Sequence, residues 1–328
     1  MRRRDIVLGI CSTAVLPLAA RAQVGRVPVV ALVFGVTPLA ELLGPEPAQP
    51  LVRAFLRGLK DHGWVEGRNI VVERRSAEGD PSRALPIFTE LAAMGVDVIV
   101  HTWTQFLYDA AQKAAKNIPT VVAFNNDPVA AGIVASLARP GGNITGLSYL
   151  NGAGIGAKRL QLLREVVPGM ARVAFIGAPD SMELAKAVAA AANILPVFAP
   201  VERPEQFAGA FAAIVREKAD ALFINNGPVN YVNGKRIADF ALERLLPTIC
   251  NERKTVDDGG LMAYGVSSNG IYYKLAEVAD KILKGAKPAE LPLEQPTKFE
   301  FVINLNTAKA LGLTIPHLLL AQADELVE

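Results

Sequence analysis

The sequence predicts an α/β fold built from two similar doubly wound lobes. Three observations predict it. Short apolar strands alternate with amphipathic helices, this alternation begins again after a turn-rich stretch at 139–143, and 328 residues are enough for two domains of ordinary size. Nearly continuous apolar strands between helices are typical of a parallel sheet covered on both faces.

The first half contains four strands and three helices. Its strands are β-branched apolar runs, and two of its helices end at Gly63 and Gly95, which are common helix stops. The predicted order is strand 27–34, helix 51–62, strand 69–74, helix 82–94, strand 96–100, helix 104–116 and strand 119–124.

The second half repeats this scheme. The predicted order is strand 172–176, helix 181–192, strand 195–200, helix 204–218, strand 221–225, helix 229–245 and strand 248–250. Segment 96–100 resembles 219–224, and 118–121 resembles 246–249, which favours two related lobes over a chance likeness between α/β units. Helix 270–284 and strand 299–304 lie beyond both halves, so we expect the chain to cross back between the lobes there.

The N-terminus has the features of a secretory signal peptide. Three arginines precede an apolar run at 6–20, and Ala20-Arg21-Ala22 forms a small-x-small cleavage site before Gln23. Residues 1–22 are therefore predicted to be a signal peptide, which leads to a periplasmic location. The adjacent arginines leave both the general and the twin-arginine export routes open.

Composition excludes several classes of function. Removal of residues 1–22, with four Arg and one Asp, changes the formal net charge from +2 to −1, and no basic block follows residue 4. A nucleic-acid partner is therefore not expected. Three His and two Cys leave little material for a metal site, and the mature chain would keep one thiol, Cys250, so no internal disulfide is predicted.

Ligands of open parallel sheets bind beyond the carboxyl ends of the strands, so the residues that follow each strand are the candidates. They offer aromatic rings, hydroxyls, amides and few acids, which is typical of recognition and not of catalysis. We predict a ligand-binding set, and no catalytic residue, metal or cofactor. The set is Phe34, Thr102, Trp103, Thr104, Phe124, Asn126, Asp127, Asn225, Asn226, Asn251 and Tyr264.

Simpler interpretations stay open for several of these residues. Trp103 could fill the core, Asp127 could cap the following short helix, and Asn225 with Asn226 could form a turn. If the ligand has an ammonium group, Asp127 is the predicted counter-charge.

Several phrases of the sequence resemble one family, the ABC-transporter substrate-binding proteins of the tryptophan/tyrosine-binding type. They are Leu18-Ala19-Ala20-Arg21-Ala22-Gln23, Phe55-Leu56-Arg57-Gly58-Leu59, Gly63-Trp64-Val65-Glu66-Gly67-Arg68-Asn69-Ile70, Asp127-Pro128-Val129, Ala135-Ser136-Leu137-Ala138-Arg139-Pro140-Gly141-Gly142-Asn143-Ile144-Thr145-Gly146, Gly259-Gly260-Leu261-Met262-Ala263-Tyr264-Gly265 and Glu294-Gln295-Pro296-Thr297-Lys298-Phe299-Glu300.

The resemblance implies a type I periplasmic-binding-protein fold, in which hinge strands join two lobes that close on a small solute and pass it to an ABC permease in the inner membrane. It also implies that Asp127 and Tyr264 are cleft residues. The expected division is lobe 1 at 23–146 plus about 266–298, and lobe 2 at 147–265 plus about 299–328. A monomer is expected.

The sequence differs from the family pattern in ways that concern the ligand. Trp103 stands where relatives usually have small residues, Ala178 where they often have Asn, and Asn225 and Asn226 where they often have an acid. An extra ring and fewer acids predict a flat, aromatic or amino-acid-like ligand, with an acid that lacks an amine among the candidates.

Two alternatives to the importer component stay open. A two-lobed sensor would present its bound state to a membrane receptor instead of a permease, and neighbouring genes would separate the two functions. An exported enzyme is the other alternative, and its acids in the predicted cleft would be Asp127, Asp180 and Glu252.

Overall fold

Two sheets of mostly parallel strands, each covered by helices, organise the molecule. The computed structural model describes residues 26–124, 127–148, 153–225, 227–296 and 299–328. The predicted α/β architecture of two lobes is confirmed. The predicted signal peptide lies outside the described residues. Within the described ranges, none of the helices has the length and apolar character that crossing a membrane requires.

The first sheet defines lobe 1 and has five parallel strands in the order β2-β1-β3-β4-β5. Its strands are β1 (Val29–Phe34), β2 (Val71–Ser76), β3 (Val98–Thr102), β4 (Thr120–Phe124) and β5 (Ile144–Ser148). The sequence analysis missed β5. This strand contains Gly146 at a φ of +147°, where a Cβ would lie 2.0 Å from the carbonyl oxygen of Val122, so only glycine permits this pairing.

Helices cover both faces of this sheet. They are α1 (Leu39–Leu42), α2 (Pro50–Asp61), α3 (Ala84–Met94), α4 (Gln105–Ala114) and α11 (Ser268–Leu283). One face packs on α2 and α11, and the other on α3 and α4. The two helices α2 and α11 approach closely because Gly58 has no side chain; a Cβ there would lie 2.6 Å from the carbonyl oxygen of Tyr273.

The second sheet defines lobe 2 and has seven strands in the order β12-β11-β10-β9-β8-β6-β7. Its strands are β6 (Arg172–Gly177), β7 (Leu195–Pro200), β8 (Ala221–Ile224), β9 (Thr248–Cys250), β10 (Met262–Gly265), β11 (Glu300–Asn304) and β12 (Glu325–Val327). All neighbours are parallel except β10 and β11, which are antiparallel.

Eight helices surround the second sheet within the described residues. They are α5 (Ala153–Val166), α6 (Ser181–Ala191), α7 (Phe207–Arg216), α8 (Pro228–Val232), α9 (Gly234–Glu243), α10 (Arg253–Asp257), α12 (Leu305–Ala310) and α13 (His317–Gln322). The single helix predicted at 229–245 is wrong, because the segment forms α8 and α9. The break is at Asn233, whose side-chain amide donates to the carbonyl of Val229 and caps the last turn of α8.

In the order of the described elements, β5 is the last strand of the first sheet before the chain enters lobe 2, α11 returns to lobe 1 after β10, and β11 belongs to lobe 2 again. After α11 the chain first runs beside β5, where Glu294 forms a bridge with Leu147 and the Thr145 hydroxyl donates to the carbonyl of Leu291 at 2.9 Å. Lobe 1 therefore includes a segment that follows most of lobe 2 in sequence. This arrangement brings the N-terminus of α11 to the junction of the lobes.

Candidate functional site

A cavity between the two lobes receives the carboxyl ends of strands from both sheets. Its empty volume is about 510 Å³, including the space open to solvent. We call this cavity the cleft. The residues that line it are Phe34, Gly35, Val36, Thr37, Leu51, Thr102, Trp103, Ala123, Gly227, Pro228, Tyr231, Glu252, Ser268 and Tyr272.

Four aromatic residues form much of the cleft wall. Phe34, at the end of β1, is buried and stacks on Tyr272 of α11 with ring centroids 5.8 Å apart. Trp103 follows β3, is 5% exposed, and packs on Phe124 at 5.3 Å. Tyr231 of α8 is the aromatic group from lobe 2. Rings of this size and rigidity suit an aromatic or flat apolar ligand.

Two threonines of the lobe 1 wall, Thr102 and Thr37, accept hydrogen bonds from neighbouring segments. Thr102 accepts a hydrogen bond from the backbone N–H of Gly35 at 3.1 Å, which fixes the end of β3 against the end of β1. The carbonyl oxygen of Thr37 accepts from the hydroxyl of Ser76. The lobe 1 wall is thus largely preformed.

Among the described lining residues of the cleft, Glu252 carries the one carboxylate, and it lies in lobe 2, two residues after the end of β9. It is 7% exposed, and burial raises its pKa to about 7. Its Oε2 accepts from the hydroxyl of Ser268 at 2.5 Å, and its Oε1 from the side-chain amide of Asn251 at 3.2 Å. Since Ser268 begins α11, the first bond joins the two lobes.

A second contact between the lobes involves Tyr231. This side chain packs against the lobe 1 core, and its hydroxyl donates to Oε1 of Gln49 at 3.5 Å. Gln49 is itself buried and caps the N-terminus of α2 through the N–H of Leu51. Burial raises the pKa of Tyr231, so its phenol stays protonated.

Behind Glu252 lies a further cavity, which we call the hinge cavity. Its empty volume is about 620 Å³, with open solvent included. It shares Tyr231, Glu252 and Ser268 with the cleft, so these three side chains separate the two spaces. Its remaining lining residues are Pro50, Asn251, Arg253, Lys254, Asp257, Ala263, Gly265, Val266, Ser267, Asn269, Glu300 and Val302.

Three residues of the predicted set line the cleft: Phe34, Thr102 and Trp103. Two others lie next to the lining residues in sequence or in space but do not line the cleft. Phe124 lies fully buried behind Trp103, and the Thr104 hydroxyl caps α4 by accepting from the N–H of Leu107 at 3.4 Å.

The other predicted residues that the structure describes are not among the lining residues of the cleft. Asp127 is exposed and caps a turn by accepting from the N–H groups of Val129 and Ala130. Asn225 donates to the hydroxyl of Ser181 at 3.1 Å, and Asn251 lines the hinge cavity.

Tyr264 stacks on Phe299 with ring centroids 5.6 Å apart and is not a lining residue of the cleft. The predictions at Asn126 and Asn226 lie outside the described residues. Ligand binding at the predicted set therefore stays a prediction.

Sequence reasoning missed Tyr231, Ser268 and Tyr272 because they lie within the first two turns of helices, whereas the search considered residues that follow strands. Pro228 at the start of α8 and Ser267 before α11 are helix-start signals that could have directed attention to these turns. Glu252 was considered as a cleft acid but not selected for the ligand-binding set.

Metal and thiol chemistry have little support in the described part of the chain. It holds no group of three or more His, Cys, Asp or Glu side chains that could bind a metal ion. Cys250 is buried, its thiol donates to the carbonyl of Glu252 at 3.2 Å, and burial raises its pKa to about 12. A thiol with so high a pKa is a poor nucleophile.

Known proteins are similar to this chain over most of its length. A profile of the family described as "ABC transporter substrate binding protein" matches residues 46–327. The tyrosine-binding protein of Clostridioides difficile is 26% identical over 268 residues, which covers 80% of this chain and 76% of that protein.

Two crystal structures are similar in fold. A conserved domain protein from Vibrio cholerae is 27% identical with a TM-score of 0.82, covering 92% of this chain and all of that one. An ABC domain from Streptococcus pneumoniae in complex with L-Trp is 22% identical with a TM-score of 0.81, over the same shares of the two chains.

Proposed function

The chain belongs to the family of ABC transporter substrate-binding proteins, and on that premise we propose that it is the periplasmic solute-binding component of an ABC importer, which takes a small aromatic or amino-acid-like solute into its cleft. The family predicted from the sequence motifs is thereby confirmed. Family membership supports a small-molecule ligand and an ABC permease as partners. Export through residues 1–22 belongs to the same proposal.

The observation that carries the proposal is a cleft with aromatic walls contributed by both lobes. Phe34, Trp103 and Tyr272 come from lobe 1, and Tyr231 comes from lobe 2. A flat ring held between them would bury apolar area on both sides. The names of two similar proteins, one that binds tyrosine and one in complex with L-Trp, agree with this ligand class.

Lobe closure is the proposed mechanism. A ligand that contacts both walls binds the closed arrangement better than an open one, and this difference in affinity shifts the population toward the closed state. The bond from Tyr231 to Gln49 and the bond from Ser268 to Glu252 join groups of different lobes, so closure would form them together with the ligand contacts. The closed form would then be recognised by the permease.

The test is a binding screen of the mature chain, unfolded and refolded beforehand so that any solute from the host is removed. We expect L-tyrosine, L-tryptophan and L-phenylalanine to raise the midpoint of thermal unfolding, and L-leucine and glucose to have no effect. A ligand at 100 times its dissociation constant stabilises the folded state by about 2.7 kcal/mol. Small-angle scattering should show a smaller radius of gyration with ligand.

A fluorescence measurement locates the binding in the cleft. The chain has two tryptophans, and Trp64 lies elsewhere, with its indole N–H donating to Asp280 at 2.8 Å. In Trp64→Phe, Trp103 is the one tryptophan left, and its emission should change when L-phenylalanine binds. If no aromatic solute shifts unfolding, and native mass spectrometry finds no bound solute before refolding, the proposed function is wrong.

A further inference from the structure

Glu252 lies on the partition between the cleft and the hinge cavity. Both spaces have this side chain among their lining residues, together with Tyr231 and Ser268. Tyr231 and Glu252 belong to lobe 2 and Ser268 to lobe 1, so the partition exists only while the two lobes are in contact. In this arrangement Glu252 is 7% exposed. The burial of its carboxyl group therefore depends on how the lobes meet.

The contacts of this carboxyl group come from both lobes. Asn251 donates to Oε1 at 3.2 Å and belongs to lobe 2. Arg159 of α5 is also in lobe 2; it is a buried cation that acts on Glu252, and its Nε donates to the carbonyl of Tyr264. These groups stay beside Glu252 when the lobes part. Ser268, which lies 2.5 Å from Oε2, belongs to lobe 1, so opening replaces its hydroxyl by water.

An ionised Glu252 is most costly when the lobes are closed, because a charge is then held away from water. Burial is the largest influence on this side chain and raises its pKa to about 7. Arg159 and the hydrogen bonds from Ser268 and Asn251 lower the pKa, but by less. Water that enters between parted lobes removes the main cause of the rise, so the pKa returns toward the ordinary value of 4.5. Near neutral pH the closed arrangement therefore binds a proton that the open arrangement releases.

We propose that closure of the lobes takes up a proton from solvent onto the carboxyl group of Glu252 and that opening releases it, so that solute capture is tighter in acidic than in alkaline surroundings. This inference rests on the proposed function, because the bound solute is what holds the lobes closed. The distance of 2.5 Å between Oε2 and the Ser268 hydroxyl suits a bond donated by a protonated carboxyl group as well as one donated by the hydroxyl. The bond across the lobes therefore persists when the proton is bound.

Ionisable groups of both lobes surround Glu252. Those of lobe 2 move with it when the lobes part, so their effect on the carboxyl group changes less than its hydration does. The titratable and charged groups that act on Glu252 or face it from neighbouring elements are Arg159 of α5, Tyr231 of α8, Cys250 of β9, Arg253, Lys254 and Asp257 of α10, Glu300 of β11 and, from lobe 1, Tyr272 of α11.

The thiol, phenol and guanidinium neighbours do not take up a proton between pH 6 and 7.5. Burial raises the pKa of the Cys250 thiol to about 12 and raises the pKa values of the Tyr231 and Tyr272 phenols. The pKa of Arg159 is lowered to about 10 and also lies above this range. The three histidines of the chain line neither the cleft nor the hinge cavity. Proton uptake on binding in this range therefore indicates a carboxyl group whose burial changes with closure.

Calorimetry in two buffers counts the protons. Binding of L-phenylalanine is measured at pH 6, 7 and 7.5 in phosphate and in ACES, which differ in heat of ionisation, so the difference in observed heat gives the number of protons taken up. L-phenylalanine keeps its charge in this range. With a pKa of about 7 when closed and about 4.5 when open, we expect uptake of roughly 0.9 proton at pH 6, 0.5 at pH 7 and 0.2 at pH 7.5.

The affinity should follow the proton uptake, because the effects of proton and solute on each other are reciprocal. The same two pKa values predict a dissociation constant that rises about eightfold from pH 6 to pH 7.5. The direction decides between two roles of the carboxyl group: affinity that rises with pH would mean that the ionised form holds the lobes closed, and the proposal would be wrong.

Two variants assign the effect. Glu252→Gln resembles the protonated carboxyl group and cannot ionise, so it should take up less than about 0.1 proton and bind equally well at all three pH values. Asp257→Asn is the matched control, since it also exchanges a carboxylate for an amide. The Asp257 side chain is 47% exposed and lines only the hinge cavity, so this variant should keep the wild-type proton uptake and pH dependence.

The outcomes separate this inference from the proposed function. If L-phenylalanine binds with uptake of less than about 0.2 proton at pH 6, or if Glu252→Gln keeps the wild-type uptake, closure is not coupled to protonation of Glu252, although the protein still binds aromatic solutes. If L-phenylalanine, L-tyrosine and L-tryptophan all fail to bind, the proposed function fails and this inference falls with it. The wild-type series needs no variant, so impaired folding of Glu252→Gln would not remove the test.

Discussion

The two walls of the cleft differ in how they are built. The lobe 1 wall consists of side chains that also belong to the core of that lobe: Phe34 and Tyr272 are buried, stack on each other and pack with α2. The lobe 2 wall within the described residues comprises Gly227, Pro228, Tyr231 and Glu252, which lie on the first turn of α8 and after β9.

The two walls therefore have different roles in ligand binding. Apolar area on lobe 1 is preformed, so its rings need little reordering when a solute arrives, and preorganisation lowers the cost of binding. Lobe 2 supplies the charge and the phenol that reach lobe 1 through Ser268 and Gln49. Substitutions in the lobe 1 wall should therefore lower folding stability and affinity together, whereas those in the lobe 2 wall should act on closure and, at Glu252, on the pH dependence of stability.

The largest expected effect is on the stability of lobe 1. Phe34→Ala removes a ring that is 2% exposed and stacked on Tyr272. Substitutions of this kind lower the free energy of unfolding by about 3–5 kcal/mol. Urea denaturation measures the loss, with Phe34→Leu as the milder control. A loss below about 1 kcal/mol would mean that the lobe 1 wall is not part of the core.

Loss of the Glu252 carboxylate from the lobe 2 wall should raise the stability of the folded protein instead of lowering it. The pKa of Glu252 is raised from 4.5 to about 7 in the folded protein, so its stabilising contribution is full below pH 4.5 and is lost as the pH rises through 7. At 1.36 kcal/mol for each pKa unit, the cost at pH 8 reaches about 3 kcal/mol.

Glu252→Gln stays neutral and should therefore make the ligand-free protein more stable than wild type at pH 8 by up to about 3 kcal/mol. At pH 4.5 the difference should be close to zero. Denaturation curves at several pH values provide the measurement. A difference that does not change with pH would show that ionisation of Glu252 has no part in it.

A smaller effect on affinity is expected at Trp103. Trp103→Ala should weaken binding of an aromatic solute at least tenfold, about 1.4 kcal/mol, because a packed ring pair adds about 0.5–1.5 kcal/mol to the area it buries. Stability should fall as well, since Phe124 and Tyr108 lose their partner. Trp103→Phe should retain most of the affinity and most of the stability. Unchanged affinity in Trp103→Ala would assign this residue to the core alone.

The smallest expected effect is at Asp127. Its carboxylate is exposed and accepts from the N–H groups of Val129 and Ala130. Asn is also a good capping residue, so Asp127→Asn should leave both affinity and stability within a few tenths of a kcal/mol. Calorimetry with L-tyrosine measures the affinity, and urea denaturation measures the stability. A tenfold loss of affinity would support the role that the sequence motif implies for this residue.

Much of the fold is readable from the sequence because apolar strands and amphipathic helices alternate clearly. The strand predicted at 172–176 and the helix predicted at 181–192 agree with β6 and α6 to within one residue at each end. The missed β5 shows where this reasoning stops: glycine is uncommon inside strands, and the close approach to β4 that requires Gly146 is visible only in the folded structure.

The cleft was less predictable than the fold. Strand ends can be located along a chain, and that reasoning found Phe34, Thr102 and Trp103. Tyr231 and Tyr272 come from helices, and they line the cavity only because the two lobes meet. Contacts between lobes depend on how two folded units dock, and hydrophobic periodicity carries no information about that docking.

The late position of α11 in the sequence has a consequence for synthesis of the protein. The core that covers Phe55 and its neighbours on α2 includes Ile271 and Leu275 of α11. About 200 residues separate the two helices, which a ribosome adds in roughly 10–40 s at about 5–20 residues per second. Until residue 283 has been added, the apolar face of α2 has no α11 to cover it, so lobe 1 cannot complete its core before most of lobe 2 has been synthesised.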